Sequence, residues 1–179
     1  MLTATYAIVN LSVEQERSRT FISKIQQFCR SCPEGLNNIN LPDLKSVAKQ
    51  LTQFDESCHR RKIEMNVIPA IRNATRDADV LLAELESLNA QGDSILTFLK
   101  ALLSLSTDQW KAQFDELYCL MERYRLVLLK KLEKEDAIFA LAKRLLLSEH
   151  WFAIGIQFFS IDAQNHYTNN SGMHMLGSS

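Results

Sequence analysis

Residues that end helices are scarce in this chain, with five glycines and three prolines among 179 residues. That scarcity leaves too little turn chemistry for a β-sandwich and favours long helices. A strong charge of either sign is also missing. Twenty Lys and Arg face 21 Asp and Glu, for a formal net charge of -1, which excludes the broad basic face that a nucleic-acid surface needs. No apolar run reaches the length of a membrane span, and the greasiest, from Leu145 to Phe159, is broken by Ser148, Glu149 and His150. Met1 to Asn10 has no basic start and too short an apolar run for a secretory signal. Glycine-rich phosphate loops, nucleophile elbows and triad signatures are absent, so no enzyme activity is expected. Without a secretory signal, Cys29, Cys32, Cys58 and Cys119 read as reduced thiols, and the expected compartment is the cytoplasm.

What is present is helical periodicity. With 46% hydrophobic residues, the chain can bury a core without disulfides or metal. A single domain over residues 1–160 is expected, followed by a disordered tail at 161–179, rich in Asn, Ser, Gly and His. A first helix is predicted from Thr5 to Ser31, with Ile22, Ile25 and Phe28 at helical spacing. Pro33, Gly35, Asn37 and Asn38 form a loop, and Pro42 opens a second helix, where its missing N–H costs nothing. Val47, Leu51, Phe54 and Cys58 step down one face of that helix, which should reach Ala74 with a kink or break at Pro69. A third helix spans Val80 to Leu103, with Leu81, Leu85, Leu88, Ile95 and Leu99 on its buried side. Ser106, Thr107 and Asp108 cap a fourth, from Gln109 to Leu147. A short last helix, Glu149 to Phe159, brings Trp151, Ile154 and Phe158 over one end. The fold class expected is all-α: an antiparallel four-helix bundle with a short extra C-terminal helix.

The chain is organised around Cys58 to Arg72. There His59 and Glu64 lie about one turn apart and Pro69 interrupts the helix. At a constant offset downstream, Lys130, Glu135, Phe139 and Ala140 fall opposite His59, Glu64, Ile68 and Pro69. The likeness implies two related helical hairpins, one pairing with two as three pairs with four.

This layout resembles the hemerythrin-like (HHE cation-binding) family, in which each hairpin supplies a Glu-His element and a His-x-x-x-Glu element followed by Leu-Phe-Pro. Val13-Glu14-Gln15-Glu16 is similar to the first element with Gln15 where histidine belongs, and Leu88 to Ile95 is similar to its second copy with Gly92 at the histidine position. Leu141 to Gly155 is similar to a common ending of the bacterial branch. The resemblance covers the chain up to about Phe159 and implies vestigial ligand positions at Gln15, His59, Glu64, Gly92, Lys130 and Glu135. A register shifted by one residue would bring Arg60 into play instead of His59. A di-iron centre needs several imidazoles and bridging carboxylates converging from four helices. Gln15 is a poor neutral ligand, Gly92 has no side chain and Lys130 carries a positive charge. No metal and no cofactor is therefore expected. Instead, Glu64 and Glu135 should pair with Arg or Lys of neighbouring helices. The alternative is a di-iron sensor or carrier of oxygen or nitric oxide with an unusual ligand set.

Leu51-x-x-Phe54, His59, Glu64 and the Glu135-Asp136 pair are also similar to the regulator of sigma D group, helical proteins that sequester the primary sigma factor of RNA polymerase without a metal. Together the two resemblances imply a non-enzymatic regulatory protein with a protein partner, in the narrower case a transcription component. Cys29-Arg30-Ser31-Cys32 is a C-x-x-C pair, but it follows a helix and precedes Pro33, which is the wrong setting for thioredoxin-like chemistry. Arg60-Arg61-Lys62 and Lys130-Lys131 with Lys134 are flanked by acids and read as solvated faces with local ion pairs.

Overall fold

The computed structural model describes residues 2–30, 41–58, 62–104 and 114–173. Among them, every regular element is helical: α1 (Leu2–Arg30), α2 (Leu41–Cys58), a π-helical turn (Ile63–Val67), α3 (Ile68–Ala74), α4 (Asp79–Leu103), α5 (Phe114–Leu145) and α6 (Ser148–Met173). No helix among the described residues is long and apolar enough to cross a membrane. The loop expected at Pro33 to Asn38, the cap at Ser106 to Asp108, and His59 to Arg61 lie outside the described residues.

Buried positions in α1 recur at Ala7, Leu11, Gln15, Ser18, Ile22, Ile25 and Cys29. Steps of three and four keep these on one face of a 3.6-residue helix. In α4 the corresponding set is Leu82, Leu85, Leu88, Gly92, Ile95, Leu96 and Leu99. Leu82 is buried and Leu81 only partly so, one position from the expected face. α4 packs along most of α5. The backbone of α1 lies closest to α6 and α5 rather than to α2, so the expected pairing of the first helix with the second is not the closest one. α1 and α2 instead meet through stacked side chains, Phe21 on Phe54, with ring centroids 4.1 Å apart.

Pro69 has the effect expected of it, and the form of the break is specific. Without an N–H, and with its ring crowding the carbonyl one turn back, it cannot continue the regular ladder. The chain answers by widening: the N–H of Ile68 bonds to the carbonyl of Ile63, five residues back, closing the π turn just before Pro69. Pro69 then sits in the first turn of α3, where a missing donor is harmless. The long second helix expected to reach Ala74 is thus divided. α3 ends at Thr75, which is extended and whose hydroxyl accepts the N–H of Asp77 at 3.1 Å, setting the turn into α4.

The last helix is longer than its expected end near Phe159. Its backbone runs on to Met173, so the first part of the segment expected as disordered tail is helical; residues 174–179 lie outside the described residues. No proline and a single glycine interrupt 160–173, which leaves the backbone hydrogen-bond ladder intact. At the corner before it, His150 Nδ1 accepts the N–H of Leu147 at 3.2 Å. Trp151, Ile154 and Phe158 are buried as expected. Trp151 meets Phe139 edge-on at 6.1 Å, and Tyr6 stacks on Phe159 at 4.2 Å. Each such side chain buried contributes roughly 1.5–3 kcal/mol by area. Gly155 makes this docking possible, because a Cβ there would stand 2.6 Å from the backbone oxygen of Thr3.

The buried apolar residues fall into two clusters. One holds Ile22, Ile25, Leu51, Leu99, Leu117, Met121 and Tyr124. The other holds Leu11, Ile63, Val67, Ile71, Leu85, Ile138, Trp151 and Phe158. On α1 the buried residues between the clusters are Gln15 and Ser18, and on α5 Lys131 and Glu135 fall between Leu128 and Ile138 on one face.

Gly92 and Gly155, both buried, should respond in opposite ways to alanine. A Cβ at Gly92 meets Tyr124 Cε2 at 3.5 Å, an ordinary contact, so Gly92→Ala should raise stability by up to ~1 kcal/mol through helix propensity. Gly155→Ala forces α1 and α6 apart and should cost about 1–3 kcal/mol. Urea midpoints at unchanged slope measure both.

Candidate functional site

Between the two apolar clusters lies a belt of buried polar residues, Gln15 and Ser18 on α1, Asn66 in the π turn, and Lys131 and Glu135 on α5, joined by partly buried Glu64 and Asn89 and by Gly92 on α4. The π turn brings its own polar side chains inward. Lys62, just before it, is anchored on α1: its backbone N–H reaches both carboxylate oxygens of Glu14 at 3.3 Å, and its Nζ donates to Asn10 Oδ1 at 3.1 Å. The same ammonium lies 5.1 Å from the centre of the Phe158 ring, a cation–π contact. Asn66 Nδ2 donates to the Lys62 carbonyl at 3.1 Å, holding the turn from inside. On the far side of α1, Arg19 pairs with Asp136 of α5. Gln15 is therefore bracketed between the π turn and α5.

At the centre of the belt, Lys131 Nζ stands 2.7 Å from Glu64 Oε1, and the two side chains are 6% and 16% exposed. The approach is a charge contact rather than a well-directed hydrogen bond, since Glu64 Oε1 accepts none among the described residues. Glu135 is fully buried, one turn beyond Lys131 on the same face. Gln15 Nε2 and Asn89 Oδ1 are buried atoms with no hydrogen-bond partner among the described residues. Beside Gly92 is a cavity of about 10 Å³, walled by Asn89, Tyr124, Val127 and Lys131 among others. It is no larger than one water needs.

The structure treats the six positions implied by the resemblance differently. Gln15, Glu64, Gly92 and Glu135 are buried or nearly so and share the belt, whereas His59 lies outside the described residues. Lys130 is exposed; its neighbour Lys131 is the one turned inward. Helix geometry explains the correction. Residues five apart on an α-helix point about 140° away from each other, while residues four apart differ by about 40°. Lys130 and Glu135 cannot both face the interior, whereas Lys131 and Glu135 can. The same argument makes the Lys130-Lys131-Lys134 group less than a solvated face: Lys131 is buried against Glu64, and half-buried Lys134 pairs with Glu84 on the outside. The signal was in the sequence. The stripe Met121, Leu128, Lys131, Glu135, Ile138, Ala142 runs unbroken through the lysine.

These residues do not fit a di-iron centre. Gly92 offers no donor, and an imidazole there would run into Tyr124 and Val127. Gln15 offers a neutral amide, and an ammonium already occupies an oxygen of Glu64. No group of three or more His, Cys, Asp or Glu that could hold a metal occurs among the described residues.

A second polar cluster lies near the end of α1. Arg125 is buried and its Nε donates to Glu122 Oε2 at 2.8 Å. The Arg125 hydrogen bonds hold the Glu122 carboxyl below the usual range, and the Cys29 thiol adds to this. Tyr118 donates its hydroxyl to the Cys29 carbonyl at 3.1 Å. Cys29 is thus packed among these groups, while Cys32 lies outside the described residues. Compared with protein-family models, curated proteins and solved structures, the chain matches none of them.

Two outcomes follow from these clusters. Glu64→Ala strands the Lys131 ammonium in the interior and should cost about 3–5 kcal/mol in urea unfolding; a loss under 1 kcal/mol would show that the pair is solvated. For Glu122, a folded pKa below the unfolded value of about 4.3 means that the stability it contributes is complete above that value and is lost as pH falls through the folded pKa. The stability gap between the wild type and Glu122→Gln should therefore be open at pH 7 and close on acidification below the ordinary carboxylate range. An equal gap at every pH would contradict the pairing.

Proposed function

We propose that this chain is a non-enzymatic interaction protein: a four-helix bundle of hemerythrin-like ancestry in which an internal ion pair stands where the ancestral fold held metal, acting by binding a protein partner. The observation that carries this reading is the Lys131 ammonium set against Glu64 in the buried belt. A bundle interior that supplies its own positive charge satisfies its carboxylates without an imported cation.

The surface supports the partner half of the proposal. On α6, Phe152, Ile156 and Phe159 are each about half exposed and follow one another at helical spacing; on α1, Leu2, Val9 and Val13 are exposed in the same way. The two helices meet where Gly155 touches Thr3 and Tyr6 stacks on Phe159, so the two rows flank one seam. Apolar side chains gathered along a helix seam mark a protein-binding face more often than scattered ones do. The likeness to the regulator of sigma D group makes a transcription component the narrower form of the proposal. The second reading, an iron-binding sensor or carrier of oxygen or nitric oxide, draws on Glu64 and Glu135 being buried together.

Elemental analysis and the visible spectrum of protein expressed with added iron separate the two. The proposal expects a colourless protein with less than stoichiometric iron, whereas about two irons per chain with oxo-bridge absorption would overturn it. For the narrower form, immobilised protein challenged with purified RNA polymerase and its primary sigma factor should retain one of them, and Phe152→Asp with Ile156→Asp should abolish retention. Passage of both components unretained would reject it.

A further inference from the structure

We infer that the apolar patch along the seam of α1 and α6 is covered by the same patch of a second copy of this chain, turned end for end in a two-fold pair. The inference goes beyond the partner reading above and shares its face, so self-association and partner retention test the two separately.

Two contacts fix the shape of the patch. Gly155 stands beside Thr3, and Phe159 stacks on Tyr6, so α1 and α6 run side by side in the same direction. At about 100° per residue, Phe152 and Ile156 lie within about 60° of Phe159 around α6. Leu2, Val9 and Val13 lie within about 60° of Tyr6 around α1. Both rows therefore border the line where the helices touch. Leu2 is 90% exposed, and the other five range from 44% to 54%. Together they leave roughly 500 Å² of apolar surface open on each copy. Two such patches face to face reach the ~1,000 Å² that a specific interface requires.

Charge complementarity selects the occupant. Glu149 extends the α6 row one turn before Phe152, within about 20° of Ile156. Arg17 extends the α1 row one turn after Val13, within about 20° of Tyr6. Both are exposed, and neither forms an ion pair among the described residues. Glu16, on the outer side of the row, is already taken by Arg19. Counted from the Thr3 and Tyr6 contacts at 1.5 Å per residue, Glu149 and Arg17 lie at opposite ends of the patch, each about 15 Å from its middle near Phe159. A copy turned end for end about that middle sets apolar rows on apolar rows and each Glu149 near the other copy's Arg17. Such self-complementarity is what an isologous contact needs. A copy laid in the same direction would gather both Glu149 carboxylates at one end and both Arg17 guanidiniums at the other, and like charges oppose association.

Sedimentation equilibrium of the full chain, with circular dichroism to confirm folding, tests the pair. Wild type is expected to dimerise with a Kd of about 10 µM or tighter. Glu149→Arg and Arg17→Glu should each weaken the dimer roughly tenfold or more, because a two-fold contact meets every substitution twice. The two combined should return the affinity to within about threefold of wild type, since the opposite charges face each other again. Phe152→Asp with Ile156→Asp should leave only monomer; if that variant does not fold, the charge reversals at exposed positions still decide the question. The inference is overturned if wild type is monomeric at about 100 µM, if a folded Phe152→Asp, Ile156→Asp variant still dimerises, or if the two charge reversals do not rescue each other. Failure of the partner reading looks different: polymerase and its sigma factor pass unretained whatever the oligomeric state of this chain. A monomeric wild type that retains one of them refutes only the present inference.

Discussion

A charge buried in a helical interior must be balanced where it sits, and the middle of this molecule is arranged around that requirement. Glu135 is sealed from solvent and Glu64 nearly so. Leaving either without a counter-charge would cost several kcal/mol. For Glu64 the demand is met by Lys131 at 2.7 Å. Its position requires α5 to present Lys131 and Glu135 on one face, and requires the π turn to swing Glu64 toward them. Widening the helix before Pro69 helps to provide that swing. The break in the second helix is therefore tied to the electrostatics of the interior as well as to the covalent chemistry of proline.

The belt also divides the core. Leu117, Met121 and Tyr124 pack with Ile22 and Leu51 toward one end; Leu11, Ile71, Ile138, Trp151 and Phe158 pack toward the other. Apolar clusters supply most of the stabilisation in a chain of this composition, while a paired polar layer contributes little net stability and mainly disfavours alternative registers. A slip of α5 by one residue would bury Lys130 and expose Lys131, breaking the Glu64 contact. The outward ion pairs, Arg72 with Glu86 and Lys134 with Glu84, are solvent-exposed or half-exposed and are worth at most about 1 kcal/mol each. Register is held by the interior.

The proposed binding role draws on the surface and not on this interior. Within the belt the Glu64 carboxylate is met by the Lys131 ammonium, and no group of three or more His, Cys, Asp or Glu that could hold a metal occurs among the described residues. On the surface, Phe152, Ile156 and Phe159 of α6 and Leu2 and Val9 of α1 are exposed, and the two helices approach closely where Gly155 meets Thr3. A binding role on the outside and an ion pair on the inside are compatible within one helical scaffold.

The sequence by itself determined that the chain is helical, roughly where its long helices run, and that Pro69 breaks one of them, because periodicity and backbone chemistry are local properties. Of the six positions that the resemblance singled out, Gln15, Glu64, Gly92 and Glu135 are buried or nearly so, Lys130 is exposed and His59 lies outside the described residues, while Trp151, Ile154 and Phe158 were expected from their spacing to cover one end and are buried. The choice of Lys131 over Lys130 was within reach of helix geometry alone, since spacings of four and five residues differ by about 100° around the axis. Only the tertiary structure decided that Lys131 meets Glu64, that α1 lies closer to α6 than to α2, and that the break takes the form of a π turn. Those outcomes depend on contacts between segments far apart in the chain, where packing at Gly155 and charge balance in the belt select among arrangements that local preferences leave equal.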